Sequence, residues 1–271
     1  MSGAASAEAG APLGDWTPEE DPIYQDDLWI ATEQVRYSDG TGADGIAIKS
    51  AYKPFEDAGN HSRGILLLHA AAPSEPDLQL LADRLALSCE CVALAPLLRG
   101  DLQRWPLQRL AHEAWQAAQY LNRACGAETL AVVAVGSTAV STLSLLAEGA
   151  LDAHCAIALC PGSGADTGGP PQNPGDTARA ARELSTPLLA ICATADDRGK
   201  AHANALRDSL ALNSRLSSDF YVADFEAEAG EFVLRAARGS ASTGNKAADK
   251  AIALCQSWVD QYCPEGVARA S

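Results

Sequence analysis

The chain has 271 residues, of which 47% are hydrophobic, and it carries 35 acidic against 20 basic side chains for a formal net charge of −15. This size and composition predict one large globular domain. The negative charge repels polyanions, so we expect no nucleic-acid partner. No apolar run approaches the roughly 20 residues that a membrane-spanning helix requires, so we expect a soluble protein without membrane insertion.

Eight cysteines lie mostly in apolar, alanine-rich segments and show no paired C-x-x-C spacing. This pattern favours small buried side chains in a reducing intracellular compartment, either the cytosol or an organelle interior. We therefore expect no metal site, and nothing in the sequence calls for a cofactor. Cys160, at the end of a strand-like segment, is the thiol we weigh as a reactive group in an alternative redox role.

The hydrophobic pattern predicts the elements in chain order. Residues 1–27 are rich in Ala, Gly, Pro and acidic residues and predict a tail, and alternating segments around DGTGADG predict a hairpin. A domain at 28–264 follows, with a C-terminal tail at 265–271. After the hairpin, strands are predicted at 64–70, 90–96, 129–136, 154–161, 187–195 and 219–227, and helices at 75–88, 105–126, 138–149, near 178–185, 200–213 and 246–263.

Strands that alternate with helices predict an α/β fold. The sheet is expected to be mostly parallel, with an antiparallel hairpin at one edge and helices on both faces. Within this order, LLADRLALSCECVALAPLLRGD resembles a segment of the dienelactone hydrolase family, which has the α/β-hydrolase fold. Leu97 stands where the family has Asp, whereas Arg99, Gly100 and Asp101 match. The resemblance covers about residues 33–263 and implies an ester or lactone hydrolase ancestry.

The family places its nucleophile in a G-x-nucleophile-x-G elbow, a strand-to-helix turn with little room for side chains on either side. Counted back from the following helix, the matching segment is 135–139, with Ser137 as the nucleophile and Val and Ala in place of the glycines. We prefer this register. Counted along the strand, Ala134 and Thr138 take the small positions, and Gly136, which has no side chain, takes the elbow.

The resemblance assigns the catalytic acid to Asp196, directly after the strand PLLAICATA. Capping of the next helix is the competing interpretation of this residue. The family histidine falls on Gly230 in EAGEFVLR, so the expected imidazole is missing. His69, at the end of a strand, and His202, one turn into a helix, are weighed as substitutes, although both are more typical of structural histidines.

The resemblance also identifies residues around the expected pocket. Backbone N–H groups of Ala71 and Thr138 are predicted to form an oxyanion hole, because such donors need no particular side chain. The acidic residue that the family has after its third strand is replaced by Ala70. Arg99 and Arg235 match family positions near the site and are predicted to hold a substrate carboxylate, with a surface salt bridge or a helix cap as the alternative.

Three family positions are altered: the elbow glycine, the acid after the third strand and the histidine. The first hypothesis is therefore a dienelactone hydrolase-like protein with lost or weakened catalysis, acting as a binding or scaffold subunit for a small ester or lactone or for a protein partner. The second hypothesis is an active serine carboxylic-ester or lactone hydrolase. In it Ser137 attacks, Asp196 orients, and His69 or His202 is the base.

Overall fold

The computed structural model describes residues 30–38, 44–52, 62–69, 75–98, 107–162, 173–216, 219–226, 228, 232–234 and 246–264. The predicted tails at 1–27 and 265–271 lie outside these ranges. The described residues form a sheet of eight strands with helices on both of its faces. The predicted α/β architecture is therefore confirmed.

The strands follow each other in the sheet as β1-β2-β4-β3-β5-β6-β7-β8. The hairpin strands β1 and β2 are antiparallel, β2 also runs antiparallel to β4, and the remaining pairs are parallel. Their bounds are β1 Ile30–Ser38, β2 Asp44–Tyr52, β3 Arg63–His69, β4 Val92–Pro96, β5 Thr129–Val135, β6 Cys155–Leu159, β7 Leu188–Ala193 and β8 Phe220–Phe225.

Helices connect the parallel strands and cover them. The helix before β4 has the predicted bounds, whereas the helix after β6 begins four residues earlier than predicted because Asn173 caps it and Pro174 opens it. The helices are α1 Glu75–Ser88, α2 Leu107–Cys125, α3 Ser137–Ala147, α4 Pro174–Glu183, α5 Asp197–Leu210 and α6 Lys246–Tyr262. Within the described ranges, none of these helices is long and apolar enough to cross a bilayer.

Alternation along the central strands gives each face of the sheet its own core. In β3, Ile65 and Leu67 pack on one face with α1 and α6, whereas Leu66 and Leu68 pack on the other face with α2, α3, α4 and α5. Successive side chains of a strand point to opposite faces, so a continuous apolar run fills both cores. Between these two cores, the parallel strands all end on the same side of the sheet, where their C-terminal ends lie together.

The edge hairpin is attached to α1 by a partly buried polar cluster. The hydroxyls of Thr32 in β1 and Ser50 in β2 each donate to Oδ1 of Asp83 in α1, at 2.6 Å. Ser50 is fully buried. The carboxylate thus accepts from both hydroxyls under the helix, where they would otherwise have only the longer Thr32–Ser50 contact of 3.5 Å.

All eight cysteines are free thiols and are buried. The prediction of small buried side chains is therefore confirmed. Six of them belong to the core on the α1 and α6 face, namely Cys89, Cys91, Cys155, Cys160, Cys255 and Cys263. Burial raises the pKa of Cys89 to about 12, which keeps that thiol protonated at neutral pH.

Candidate functional site

The corner between β5 and α3 consists of a single residue. β5 ends at Val135, α3 begins at Ser137, and Gly136 between them has φ 63° and ψ −130°. Side chains rarely adopt this left-handed backbone, whereas glycine adopts it readily. The Gly136 N–H donates to the Leu159 carbonyl at 2.8 Å, and its carbonyl accepts from the Gly162 N–H at 3.3 Å. The strained backbone of the corner therefore lies at Gly136.

The position of the left-handed residue distinguishes the two alternative registers of the elbow. Gly136, which the alternative register places at the elbow, is the positive-φ residue, and it lies between Ala134 and Thr138. Ser137, which the preferred register places there, is the first residue of α3 and is half-buried. The preferred register is thus one residue away from the observed corner, and the catalytic role of Ser137 stays a prediction.

The start of α3 offers backbone donors toward the end of the sheet. The helix begins without a side-chain cap, and N–H groups of a first helical turn have no partner within the helix. Such groups can stabilise a negatively charged oxygen, as an oxyanion hole requires. Thr138 lies in this turn and is buried, and its Oγ1 has no hydrogen-bond partner among the described residues. Ala71, the other predicted donor, lies outside the described residues.

His69 is the histidine that the sheet brings beside the corner. It is the last residue of β3 and pairs with Val135, the last residue of β5. Its side chain is buried, with 3% of its surface exposed. The expectation that His69 ends a strand at this edge of the sheet is therefore met, while its role as a base stays a prediction.

His202 lies in a packed interior position. It belongs to α5, is fully buried, and its Nδ1 is 3.0 Å from Oγ1 of Thr177 in α4. A Cβ added to Gly162 would lie 2.1 Å from its Nε2, so the ring packs directly against that glycine. His202 therefore contacts a neighbouring helix, as expected of a structural histidine. Gly162 in turn contacts the corner through its hydrogen bond to the Gly136 carbonyl.

Asp196 forms the cap of α5. Its Oδ1 accepts the Gly199 N–H at 2.7 Å, and the residue is exposed. A Cβ at Gly199 would lie 1.7 Å from the Ala193 carbonyl oxygen, so this tight cap requires glycine there. The capping interpretation is confirmed. The catalytic role of Asp196 stays a prediction.

A groove of about 430 Å³ lies beside α5 at the end of β7 and β8. Four charged side chains line it, and Arg207 and Asp224 among them form an ion pair. Thr194, which directly follows β7, is buried there, and its Oγ1 has no hydrogen-bond partner within the described part of the chain. This groove was not predicted from the sequence, although a polar residue directly after an apolar strand is a signal for one.

The remaining predicted site residues fall outside the described part of the chain. These are the two arginines expected to hold a carboxylate and the position that replaces the family histidine, namely Arg99, Arg235 and Gly230. Within the described ranges, no group of three or more His, Cys, Asp or Glu side chains is arranged to hold a metal ion.

Known structures share this architecture. A structure from Klebsiella pneumoniae assigned as a dienelactone hydrolase is 18% identical, with a TM-score of 0.62, over 86% of this chain and 99% of that one. A thermostable esterase from Pseudomonas putida is 13% identical, with a TM-score of 0.63, over 94% and 93% of the two chains. An esterase from Pyrococcus furiosus is 12% identical, with a TM-score of 0.62, over 96% and 100%.

No protein-family model matches the sequence, and no curated protein matches it. The structural likeness at such low identity shows the fold. The mostly parallel sheet, the antiparallel edge hairpin and the helices on both faces define a protein of the α/β-hydrolase fold. The predicted fold is thereby confirmed. Its activity has to be argued from the site, because one fold supports many functions.

Proposed function

We propose that this protein is a dienelactone hydrolase-like protein that has lost efficient catalysis and acts as a binding subunit. Its partner is a small ester or lactone, or another protein. The observation that carries the proposal is the backbone at Gly136. In an elbow, the residue with the strained backbone projects its side chain toward the substrate, and here that residue has no side chain.

The positions of the other candidate groups support the same proposal. The Asp196 carboxylate is engaged by the Gly199 N–H at the start of α5. The His202 imidazole is hydrogen-bonded to Thr177 and packs against Gly162. Each group therefore has a structural role that explains its presence without a triad. A serine hydroxyl without a base is protonated at neutral pH and is a weak nucleophile.

A fluorophosphonate probe and activated short-chain esters test the loss of catalysis. We expect the wild-type protein to be labelled no faster than Ser137→Ala, while an active serine esterase run in parallel is labelled fully. Hydrolysis by the wild type should also equal that by Ser137→Ala. Rapid labelling that disappears in Ser137→Ala would contradict the proposal.

Thermal unfolding tests the binding role separately. A molecule that binds only the folded state raises the melting temperature in proportion to RT ln(1 + [L]/Kd). We expect short-chain esters or lactones, or their carboxylate products, to raise the melting temperature of the wild type and of Ser137→Ala equally. If none of these compounds changes the melting temperature of either protein, the small-ligand form of the proposal is wrong.

One arrangement favours the alternative of an active serine hydrolase. Ser137 is half-buried rather than enclosed, and His69 ends the strand next to the one that leads into the corner. In this alternative His69 accepts the Ser137 proton during attack on a carboxylic ester. Probe labelling that is lost in both Ser137→Ala and His69→Ala, but kept in His112→Ala on the exposed face of α2, would favour it.

A further inference from the structure

Two cysteines that are far apart in sequence lie next to each other in the core. Cys155 opens β6, and Cys263 directly follows the last residue of α6. Their sulfur atoms are 3.9 Å apart although the residues are separated by 108 positions. A disulfide requires about 2.0 Å between sulfurs, so a shift of about 2 Å at the end of α6 would join them.

The surroundings distinguish Cys263 from the thiols around it. A hydrogen bond from the Cys155 thiol lowers the pKa of Cys263, and hydrogen bonding to Thr129 and the charge of Arg63 act in the same direction against burial. Burial instead raises the pKa of Cys89 and of Cys192, each to about 12. Because the thiolate is the attacking form, Cys263 is the better nucleophile of these three.

Cys263 also lies where local opening is easiest. Its backbone N–H donates to the Val259 carbonyl at 2.7 Å and closes the final turn of α6. The last turn of a helix opens with a smaller free energy than the interior of a sheet. Cys155, at the start of β6 between β5 and β7, is held in the middle of the sheet. Opening of the helix end therefore exposes Cys263 first.

We propose that Cys155 and Cys263 form a reversible intramolecular disulfide that fastens the end of α6 to β6. The Cys263 thiolate attacks one sulfur of a small-molecule disulfide and forms a mixed disulfide, and one small thiolate leaves. The Cys155 sulfur then attacks Cys263 Sγ, the second small thiolate leaves, and the two protein protons end on the two released thiols. The protein dithiol is oxidised and the small disulfide is reduced to two thiols.

The cross-link has a measurable structural effect. It restricts the unfolded chain by closing a long loop, which favours the folded state. Because both sulfurs already face each other in the folded protein, the link adds little distortion there. Oxidation should therefore raise the melting temperature, and a dithiol reductant should reverse the rise.

Thiol counting after treatment with oxidised glutathione tests this proposal on the full chain. We expect the wild type to lose two of its eight thiols and to show an intact mass lower by two hydrogen atoms. Cys155→Ala and Cys263→Ala should not form the internal link and should show no rise in melting temperature. Cys192→Ala, which alters a buried cysteine in the opposite core, is the matched control and should behave like the wild type.

Peptide mapping identifies the linked residues. Cleavage after Asp and Glu separates Cys263 from Cys255, since Asp260 lies between them. Cys155 and Cys160 stay together on the peptide 153–166, so the loss of the linked pair in Cys155→Ala assigns the link to Cys155. A linked peptide pair containing Cys155 and Cys263 is expected in the wild type and in Cys192→Ala. The proposal is overturned if all eight thiols survive, if the loss of two thiols persists in Cys263→Ala, or if only glutathione adducts or linked dimers appear.

Discussion

The contact between His202 and Gly162 gives a quantitative test of whether this imidazole is a packing group or a free base. A Cβ on Gly162 would lie 2.1 Å from Nε2 and 2.2 Å from Cδ2 of the ring. The ring cannot move away easily, because Nδ1 is bonded to Thr177 Oγ1 at 3.0 Å and the side chain is fully buried. Gly162→Ala should therefore force the ring out of its position.

The size of the effect follows from two costs. Gly162 has φ 78°, and a left-handed backbone costs a residue with a Cβ about 1–2 kcal/mol. Overpacking against a fixed ring adds about 1–3 kcal/mol. Gly149→Ala is the matched control, since Gly149 has φ 68° and open space around an added Cβ. Gly149→Ala should therefore show only the cost of the left-handed backbone.

Urea unfolding of Gly162→Ala, His202→Ala and the double variant measures the coupling. Removal of the ring gives the new methyl group room. The double variant should therefore be less destabilised than the sum of the two single variants, by about 1–3 kcal/mol. If the free energies are additive within about 0.5 kcal/mol, the packing interpretation of His202 is refuted and its availability as a base has to be reconsidered.

Three further predictions concern buried polar groups. Asn213→Ala should lower the free energy of unfolding by about 2–4 kcal/mol in urea, because its amide bonds two backbone carbonyls and two backbone N–H groups in the interior. Asp83→Ala should cost about 1–3 kcal/mol by leaving the two hairpin hydroxyls without their acceptor, whereas Asp249→Ala, at a half-exposed ion pair, should cost at most about 1 kcal/mol. Burial raises the pKa of Tyr37 above its ordinary value of 10.0. The unfolded chain therefore releases the Tyr37 proton at a lower pH than the folded chain does. The free energy of unfolding should fall as the pH rises from about 9 to 11. Urea midpoints of Tyr37→Phe should fall less over that range than those of the wild type.

The order of the strands and helices was predictable because each element has a strong periodic pattern. Ile65 to Leu68 form a continuous apolar run, which is typical of a strand buried on both faces. The predicted starts of α4 and α5 were less accurate. Asp196 caps α5 and Asn173 caps α4, and each residue marks the true start several residues before the predicted one.

The corner after β5 could not be fixed from the sequence alone. Ala134, Gly136 and Thr138 are small residues at alternate positions, and Ser137 also lies one position before an apolar helical pattern. The Ser137 register has Val135 where a small residue is required, whereas the Gly136 register has small neighbours but no nucleophile side chain, so neither one matches the family pattern fully. The backbone decides between them, because only one residue has the left-handed φ of the turn, and it is Gly136. The burial of His202 was equally inaccessible, since it depends on a contact with Gly162 that is distant in sequence.

Energetics give the proposed loss of catalysis a physical basis. A side chain held at φ 63° and ψ −130° costs about 1–3 kcal/mol, which an active elbow tolerates because the strain aims the nucleophile. Gly136 avoids that cost. The cap formed by Asp196 contributes about 1 kcal/mol to α5, and His202 fills the space beside Gly162. Each of these residues stabilises the fold at its position. The sheet and its two cores therefore do not depend on a working triad, which supports the proposed binding role.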